Sequence, residues 1–208
     1  MPKENAIDEG VCIMKFQETE TFSNLSKAFA GESQARNRYS FFGGVAKKEG
    51  YQHIQAVFDE TAANEREHAQ VFYKLLIAHT QEETNVIHVD ADYPLVYKDT
   101  LTNLRAAAAG EKEEWSELYS KFGDIAEKEG FTDIAKAFKT IAEVEKHHMN
   151  RFEYYADGIE NGTIFKKDAP TKWRCTNCGY IHEGPEAPVN CPACAHEQGY
   201  FQEFPEKY

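Results

Sequence analysis

One long pattern occurs twice in this chain, and that duplication limits what it can fold into. SNLSKAFAGE (Ser23–Glu32) returns as TNLRAAAAGE (Thr102–Glu111), an offset of 79, and KKEGYQHIQAVFDETAANEREH (Lys47–His68) returns as EKEGFTDIAKAFKTIAEVEKHH (Glu127–His148), an offset of 80. Within each copy apolar residues recur at steps of three and four on both sides of a glycine, Gly50 or Gly130, which reads as two helices joined by a helix stop. Two such hairpins predict four helices related by a pseudo-two-fold axis. The change of offset places one extra residue in the second copy between Glu111 and Tyr119. A single insertion inside a helix is usually absorbed as a π-bulge, and such bulges favour functional sites. Glu114 lies in that interval.

The helical stripes are not purely apolar. From Thr21, read as an N-cap, the first runs Phe22, Leu25, Phe29, Glu32, Arg36, Tyr39, Gly43, Ala46. The second runs Ile54, Phe58, Thr61, Glu65, His68, Phe72, Leu75. The third contains Leu101, Leu104, Ala108, Glu111, Leu118, Phe122 and Ile125. The fourth passes from Phe131, Ile134, Phe138 and Ile141 through Glu145 and His148 to Phe152, Tyr155 and Ile159. Glu65 with His68, and Glu145 with His148, are three residues apart and share a helix face. An ionised carboxylate in apolar surroundings costs several kcal/mol unless a cation compensates it. Residues 80–99 contain Pro94 and no sustained period, so they read as a long connection that lets its flanking helices run parallel.

Composition narrows the partners. A net charge of −12 and a pI near 5.1 argue against nucleic acid or an anionic membrane as the principal partner. No apolar run approaches the ~20 residues of a membrane span, and the start, MPKENAIDEGVCIMKF, has neither a secretory apolar region nor a small-residue cleavage site. A cytoplasmic location is the expectation. The expected divisions are an N-terminal extension (1–17) with a lone Cys12 that receives no role, a helical bundle (18–160), a linker (161–172) and a cysteine-rich module (173–208).

Glu32, Glu65, His68, Glu111, Glu114, Glu145 and His148 together match the pattern of a di-iron or di-manganese site, in which two helices give a carboxylate and two give Glu-x-x-His. Zinc normally takes fewer carboxylates. Five carboxylates around two Fe(II) leave a charge of −1, and two Fe(III) with an added oxide also leave −1, so the donor set suits redox cycling. In the last module Cys175-x-x-Cys178 and Cys191-x-x-Cys194 can close a tetrahedron on one metal, which so small a module needs for stability. The spacing alone leaves open a structural zinc or a one-electron iron.

FAGESQARNRY, ETAANEREHAQ, AAAAGEKEEW and TIAEVEKHHMNRF resemble the rubrerythrins, over essentially the whole chain from Met14, and WRCTNCGY with CPACAH resembles their rubredoxin domain. Ala195, after Cys194, departs from small free-standing rubredoxins. The resemblance implies a mainly α protein, a ferritin-like four-helix bundle with a long crossover, followed by a rubredoxin-like domain. It implies a di-iron (Fe–O–Fe) centre on Glu32, Glu65, Glu111, Glu114, Glu145 and His148, with His68 bound in one redox state and exchanging with Glu114, and one Fe on the four cysteines. It places Tyr39 and Tyr119 beside the site and, with Glu114 and His68, among the catalytic residues. The implied activity is reduction of hydrogen peroxide to water in oxidative-stress defence. The four-cysteine iron would deliver electrons from a donor such as a rubredoxin or an NAD(P)H-dependent reductase. The short linker suggests that the module serves a neighbouring subunit, hence a head-to-tail homodimer. The alternative is a ferritin-like ferroxidase or iron-binding protein.

Overall fold

The computed structural model describes residues 15–80 and 86–204; most of the N-terminal extension, Cys12 included, lies outside them. Helix α1 (Glu20–Lys48) and α2 (Gln52–His79) form one hairpin. Helix α3 (Thr100–Glu113) continues through a π-helical turn (Glu114–Leu118) into α4 (Tyr119–Lys128), and this rod pairs with α5 (Thr132–Glu160). The extra residue is therefore absorbed where the offset places it. The π turn is pinned from outside by Trp115, whose indole N–H donates to Met149 Sδ at 3.1 Å. Residues 86–99 cross from one hairpin to the other without helix or strand.

Burial follows the stripes with local exceptions. Two aromatic-rich cores flank the polar layer. Tyr39, Phe42, Phe58, Leu104 and Phe152 lie on one side; Leu25, Phe72, Tyr119, Ile134 and Phe138 lie on the other. Each fully buried side chain of this size contributes roughly 1.5–3 kcal/mol of transfer free energy. Arg36, on the expected stripe, is exposed, and Ala35 takes the inward position. The first helix also starts earlier than expected: Thr19, not Thr21, is its N-cap, accepting a hydrogen bond from the Phe22 N–H at 3.1 Å.

The pseudo-symmetry extends to the helix ends. Gly50 (φ 86°) and Gly130 (φ 91°) adopt the left-handed conformation that closes each hairpin. The glutamate before each glycine reaches across to the other copy. Glu129 accepts the Thr21 and Glu20 N–H groups at 2.8 and 3.1 Å at the start of α1, and Glu49 accepts the Thr100 N–H at 2.9 Å at the start of α3. These carboxylates satisfy N-terminal donors and complement the helix dipole. Glu129→Ala is expected to cost about 1 kcal/mol, the usual worth of a lost cap. In thermal denaturation that is a fall of about 2–4 °C for a chain of this size; an unchanged midpoint would show that water replaces the carboxylate without loss.

The last module is a three-stranded antiparallel sheet of order β2-β1-β3, from β1 (Lys166–Cys175), β2 (Ile181–Glu186) and β3 (Phe201–Glu203). Much of the segment expected as a linker is thus strand, with its β2 pairing irregular between Lys166 and Thr171, around Pro170. Trp173 is fully buried and its indole N–H donates to the Gly184 carbonyl at 3.0 Å. The module packs on the α1–α2 turn. Buried His53 makes a 2.9 Å hydrogen bond from Nδ1 to the Gly199 carbonyl, and Tyr51 stacks on Phe165. A Cβ on Gly199 would collide with the Gly50 carbonyl, so only glycine permits this approach.

Candidate metal centres

Four helices converge between the two cores. Glu32 comes from α1, Glu65 and His68 from adjacent turns of α2, Glu111 from α3, and Glu145 and His148 from adjacent turns of α5. Their donor atoms form two groups, each compact enough for one ion: Glu32, Glu65, His68 and Glu145; and Glu65, Glu111, Glu145 and His148. Glu65 and Glu145 belong to both. Each histidine faces both shared carboxylates. His68 Nδ1 lies 2.8 Å from Glu65 and 2.9 Å from Glu145; His148 Nδ1 lies 2.7 Å from Glu145 and 3.1 Å from Glu65. The repeat symmetry continues around them. Tyr119 donates to Glu32 at 2.5 Å, and Tyr39 donates to Glu111, so each tyrosine holds the terminal glutamate of the other copy.

The donor set fits a pair of metal ions. Glu32 Oε2 and Glu111 Oε2 are buried without a hydrogen bond, and Glu65 Oε1 and Glu145 Oε1 have only a histidine nitrogen, at 3.1 and 2.9 Å, beside them. A buried carboxylate oxygen so poorly paired is costly to keep without a function, and a pair of ions would satisfy all four. The electrostatics agree. Burial pushes Glu32 up to about 8 and, with the neighbouring carboxylates, drives Glu111 and Glu114 well above the usual range. Glu145 is also opposed by burial, but hydrogen bonds from His148 and His68 bring it down to about 2. For His148 burial works against the charge, yet Glu145 and Glu65 raise it to about 9, and His68 is raised further by Glu145, Glu32 and Glu65. Protons hold together what cations would hold better. Tyr39 and Tyr119 are both pushed well above their ordinary value, chiefly by burial, and so stay protonated donors.

Glu114 stands apart. It belongs to neither group, and lines a cavity of about 440 Å³ between α1, the α3–α4 rod and the crossover. Of the seven expected metal-site residues, the structure therefore gathers six, with His68 inside and Glu114 outside.

Cys175, Cys178, Cys191 and Cys194 converge as free thiols. The Cys175–Cys194 and Cys178–Cys191 sulfurs are 3.8 and 3.6 Å apart. A tetrahedron with metal–sulfur bonds of about 2.3 Å has an edge of about 3.8 Å, so the four sulfurs are already spaced for one ion. Each Cys-x-x-Cys ends in a left-handed residue, Gly179 (φ 79°) or Ala195 (φ 58°). That conformation costs alanine roughly 1–2 kcal/mol. The His196 backbone N–H, ahead of other contacts, brings Cys194 down to about 6, and the Asn177 amide lies 3.6 Å from the same sulfur.

A ferritin-like bundle with two carboxylate–histidine groups, carrying a separate four-cysteine domain, defines a di-iron carboxylate protein with an attached rubredoxin-like centre. Comparisons make this specific: residues 23–155 match the family model for rubrerythrin, and residues 173–202 match that for the rubrerythrin rubredoxin-like domain. The chain is 52% identical to rubrerythrin of Clostridium perfringens over 191 residues, covering 91% of this chain and 97% of that one. It is 48% identical to rubrerythrin of Nitratidesulfovibrio vulgaris over 183 residues, covering 88% and 93%. A solved mixed-valence state of nigerythrin aligns at 28% identity and TM-score 0.59, over 96% of this chain and 92% of that one. Bacterioferritin from Desulfovibrio desulfuricans shares the fold at 22% identity and TM-score 0.62, over 69% of this chain and 82% of that one. The chain belongs to the rubrerythrin family, and its cofactors are the di-iron centre and the iron of the four-cysteine site.

One residue at the site escaped the sequence reading. Arg38 lines the cavity with Glu114 and lies over the Tyr39 ring, 5.5 Å from its centroid. Comparing the two copies position by position would have exposed it, because Leu118 precedes Tyr119 where Arg38 precedes Tyr39.

Proposed function

We propose that this protein reduces hydrogen peroxide to two waters, consuming two electrons and two protons per turnover, in oxidative-stress defence in the cytoplasm. The observation that carries this reading is the union, in one chain, of a two-ion carboxylate–histidine site with a four-cysteine site suited to one-electron traffic. Iron in the two sites supplies the redox chemistry, two electrons for the oxygen–oxygen bond at one and their replacement singly at the other. The chain's own part is positional. Glu65 and Glu145 fix the spacing of the two ion positions, and the Tyr39 and Tyr119 hydroxyls orient Glu111 and Glu32. The aromatic cores above and below keep bulk water from the layer. His68 and Glu114 are the exchanging ligands, the former inside and the latter outside in this arrangement.

Electrons arrive from a rubredoxin or an NAD(P)H-dependent reductase. The module docks at His53, twelve residues before Glu65 on the same helix, which is roughly 18 Å along the axis at ~1.5 Å per residue. That separation supports delivery to the site of a second subunit, in a head-to-tail homodimer.

The test is anaerobic reduction of the full chain followed by rapid mixing with peroxide or with oxygen, while both iron centres are followed optically. Fast reoxidation with one peroxide consumed per two electrons is the expected result. Reaction with oxygen alone, with iron accumulating beyond three ions per chain, would instead make the protein a ferroxidase.

A further inference from the structure

We propose that Arg38 is a positioning residue that holds the Glu114 carboxylate in the cavity mouth, away from the ion positions, and so sets which of Glu114 and His68 is the ligand. This rests on the exchange of those two residues in the reading above. The starting point is a complementary break in the repeat. The second copy has one residue too many and with it an extra carboxylate, Glu114. The first copy has a cation, Arg38, where the second has Leu118, and all three residues line the same cavity. The extra anion and the extra cation thus face one space from opposite halves of the duplication.

The guanidinium is fixed rather than solvated. Its Nε donates to Gln34 Oε1 at 2.6 Å, its plane lies over Tyr39, and Nη1 is buried with no hydrogen-bond partner. A buried guanidinium nitrogen without an acceptor is an unmet demand for an anion. Lys27 and Lys121 also line the cavity, but neither is held by such contacts among the described residues. Two glycines at matching places in the repeat flank the pair. A Cβ on Gly110 would lie 3.8 Å from Arg38 Nη2, and a Cβ on Gly31 would lie 3.9 Å from Glu114 Oε1. Both positions are the glycine of the duplicated A-G-E motif, so the anion and the cation lie against equivalent turns of the two copies. Glu114 sits on the π turn, where the backbone departs from α-helical register, and it has the cavity rather than packed side chains beside it. With the guanidinium present, the carboxylate has a cation to turn to across the cavity, outside the metal layer, and His68 keeps its place within that layer. Without the guanidinium, only the loosely held Lys27 and Lys121 remain in the cavity to compete with the metals for Glu114.

Iron-edge X-ray absorption on the reduced full-length protein counts the imidazoles directly, because the cysteine site contributes none. Wild type should show two per chain, His68 and His148. Arg38→Leu, which installs the residue of the twin position, should show one at unchanged iron content. Re-reduction of its oxidised site should slow roughly tenfold, within the usual range of coupling between two sites. Arg38→Lys should restore both readouts. In a Glu114→Ala background, Arg38→Leu should leave the count at two. A wild-type count of one, an Arg38→Leu protein with wild-type count and rate, an Arg38→Lys protein like Arg38→Leu, or a loss of imidazole without Glu114 would each overturn the assignment. If Arg38→Leu cannot hold iron, the Arg38→Lys and Glu114→Ala comparisons still decide. A wild-type protein inert to peroxide, with the imidazole loss still seen in Arg38→Leu, would remove the proposed activity and leave this inference standing.

Discussion

Replacing Glu145 by glutamine is expected to empty both ion positions of the bundle at once. Glu145 and Glu65 are the two carboxylates common to both donor groups, whereas Glu32 and Glu111 each serve one. Glu145 is also the carboxylate that hydrogen bonds from His148 and His68 hold ionised, down to about 2, so it needs no deprotonation to receive a cation. Glutamine keeps the shape and removes the charge. Each ion then loses an anionic donor in a buried layer, and the buried amide must find acceptors among carboxylates that are already crowded. Metal analysis should fall from three irons per chain to about one, with the red colour of the cysteine-bound iron retained. Peroxide reduction should drop at least a thousandfold, the scale on which loss of a group essential to catalysis is felt. Glu111→Gln, which touches one group only, should keep more iron than Glu145→Gln. Equal retention in the two variants would mean that the shared positions are not structurally distinct.

The site could be read from the sequence because it violates a pattern. Glu65, His68, Glu145 and His148 fall on apolar stripes, where a charge has no reason to be unless it is matched. The duplication pairs them, and the offset of one residue locates the π turn. What stayed illegible depends on contacts between distant residues. Glu49 and Glu129 look like ordinary polar residues at helix ends; that they cap helices of the opposite repeat depends on pairs such as Thr21 with Glu129, 108 residues apart. Residues 166–172 read as a linker because Lys, Asp and Pro disfavour strands, yet pairing with β2 makes them one. Gly199 carries no local signal, since its role is defined by the Gly50 carbonyl of another domain. Arg38 on a helix surface normally means solvent, and only the cavity gives it another meaning.

The duplicated fold gives the proposed exchange of ligands a physical basis. Tyr39 with Glu111 and Tyr119 with Glu32 are related by the repeat, as are the two Glu-x-x-His pairs. A strictly symmetric protein would bind two equivalent ions. The inserted residue breaks the equivalence on one side of the layer alone, and leaves the helix bearing His148 regular. Of the expected metal-site residues only Glu114 and His68 are not buried, so the proposed adjustment would fall on these two.

Stripped of its metals, the protein is expected to lose stability as pH rises from about 5 to about 8. Glu32 titrates near 4.5 when unfolded and is pushed up to about 8 in the fold by burial. Between those values the folded chain keeps a proton that the unfolded chain has released, so raising the pH favours unfolding. Glu111, raised well above the same reference, acts in the same direction, and His148, held at about 9 against an ordinary 6.5, adds to it above pH 6.5. Glu145 acts oppositely, but only below its unfolded value, as pH falls from 4.5 toward 2. Glu32 alone contributes on the order of a few kcal/mol across the window, because each pH unit between its unfolded and folded values is worth about 1.4 kcal/mol. That is a large part of the roughly 5–15 kcal/mol that holds a typical domain folded. With the ions bound, cations replace these protons and the slope reverses, because protons then compete with metal at the low end. Urea denaturation followed by helical circular dichroism, on chelator-treated and iron-loaded protein at pH 5, 6.5 and 8, should give midpoints that diverge as pH rises. A stripped protein whose midpoint is flat or increasing over that range would show that its buried carboxylates are already ionised without metal, and that the layer is paired by some other charge.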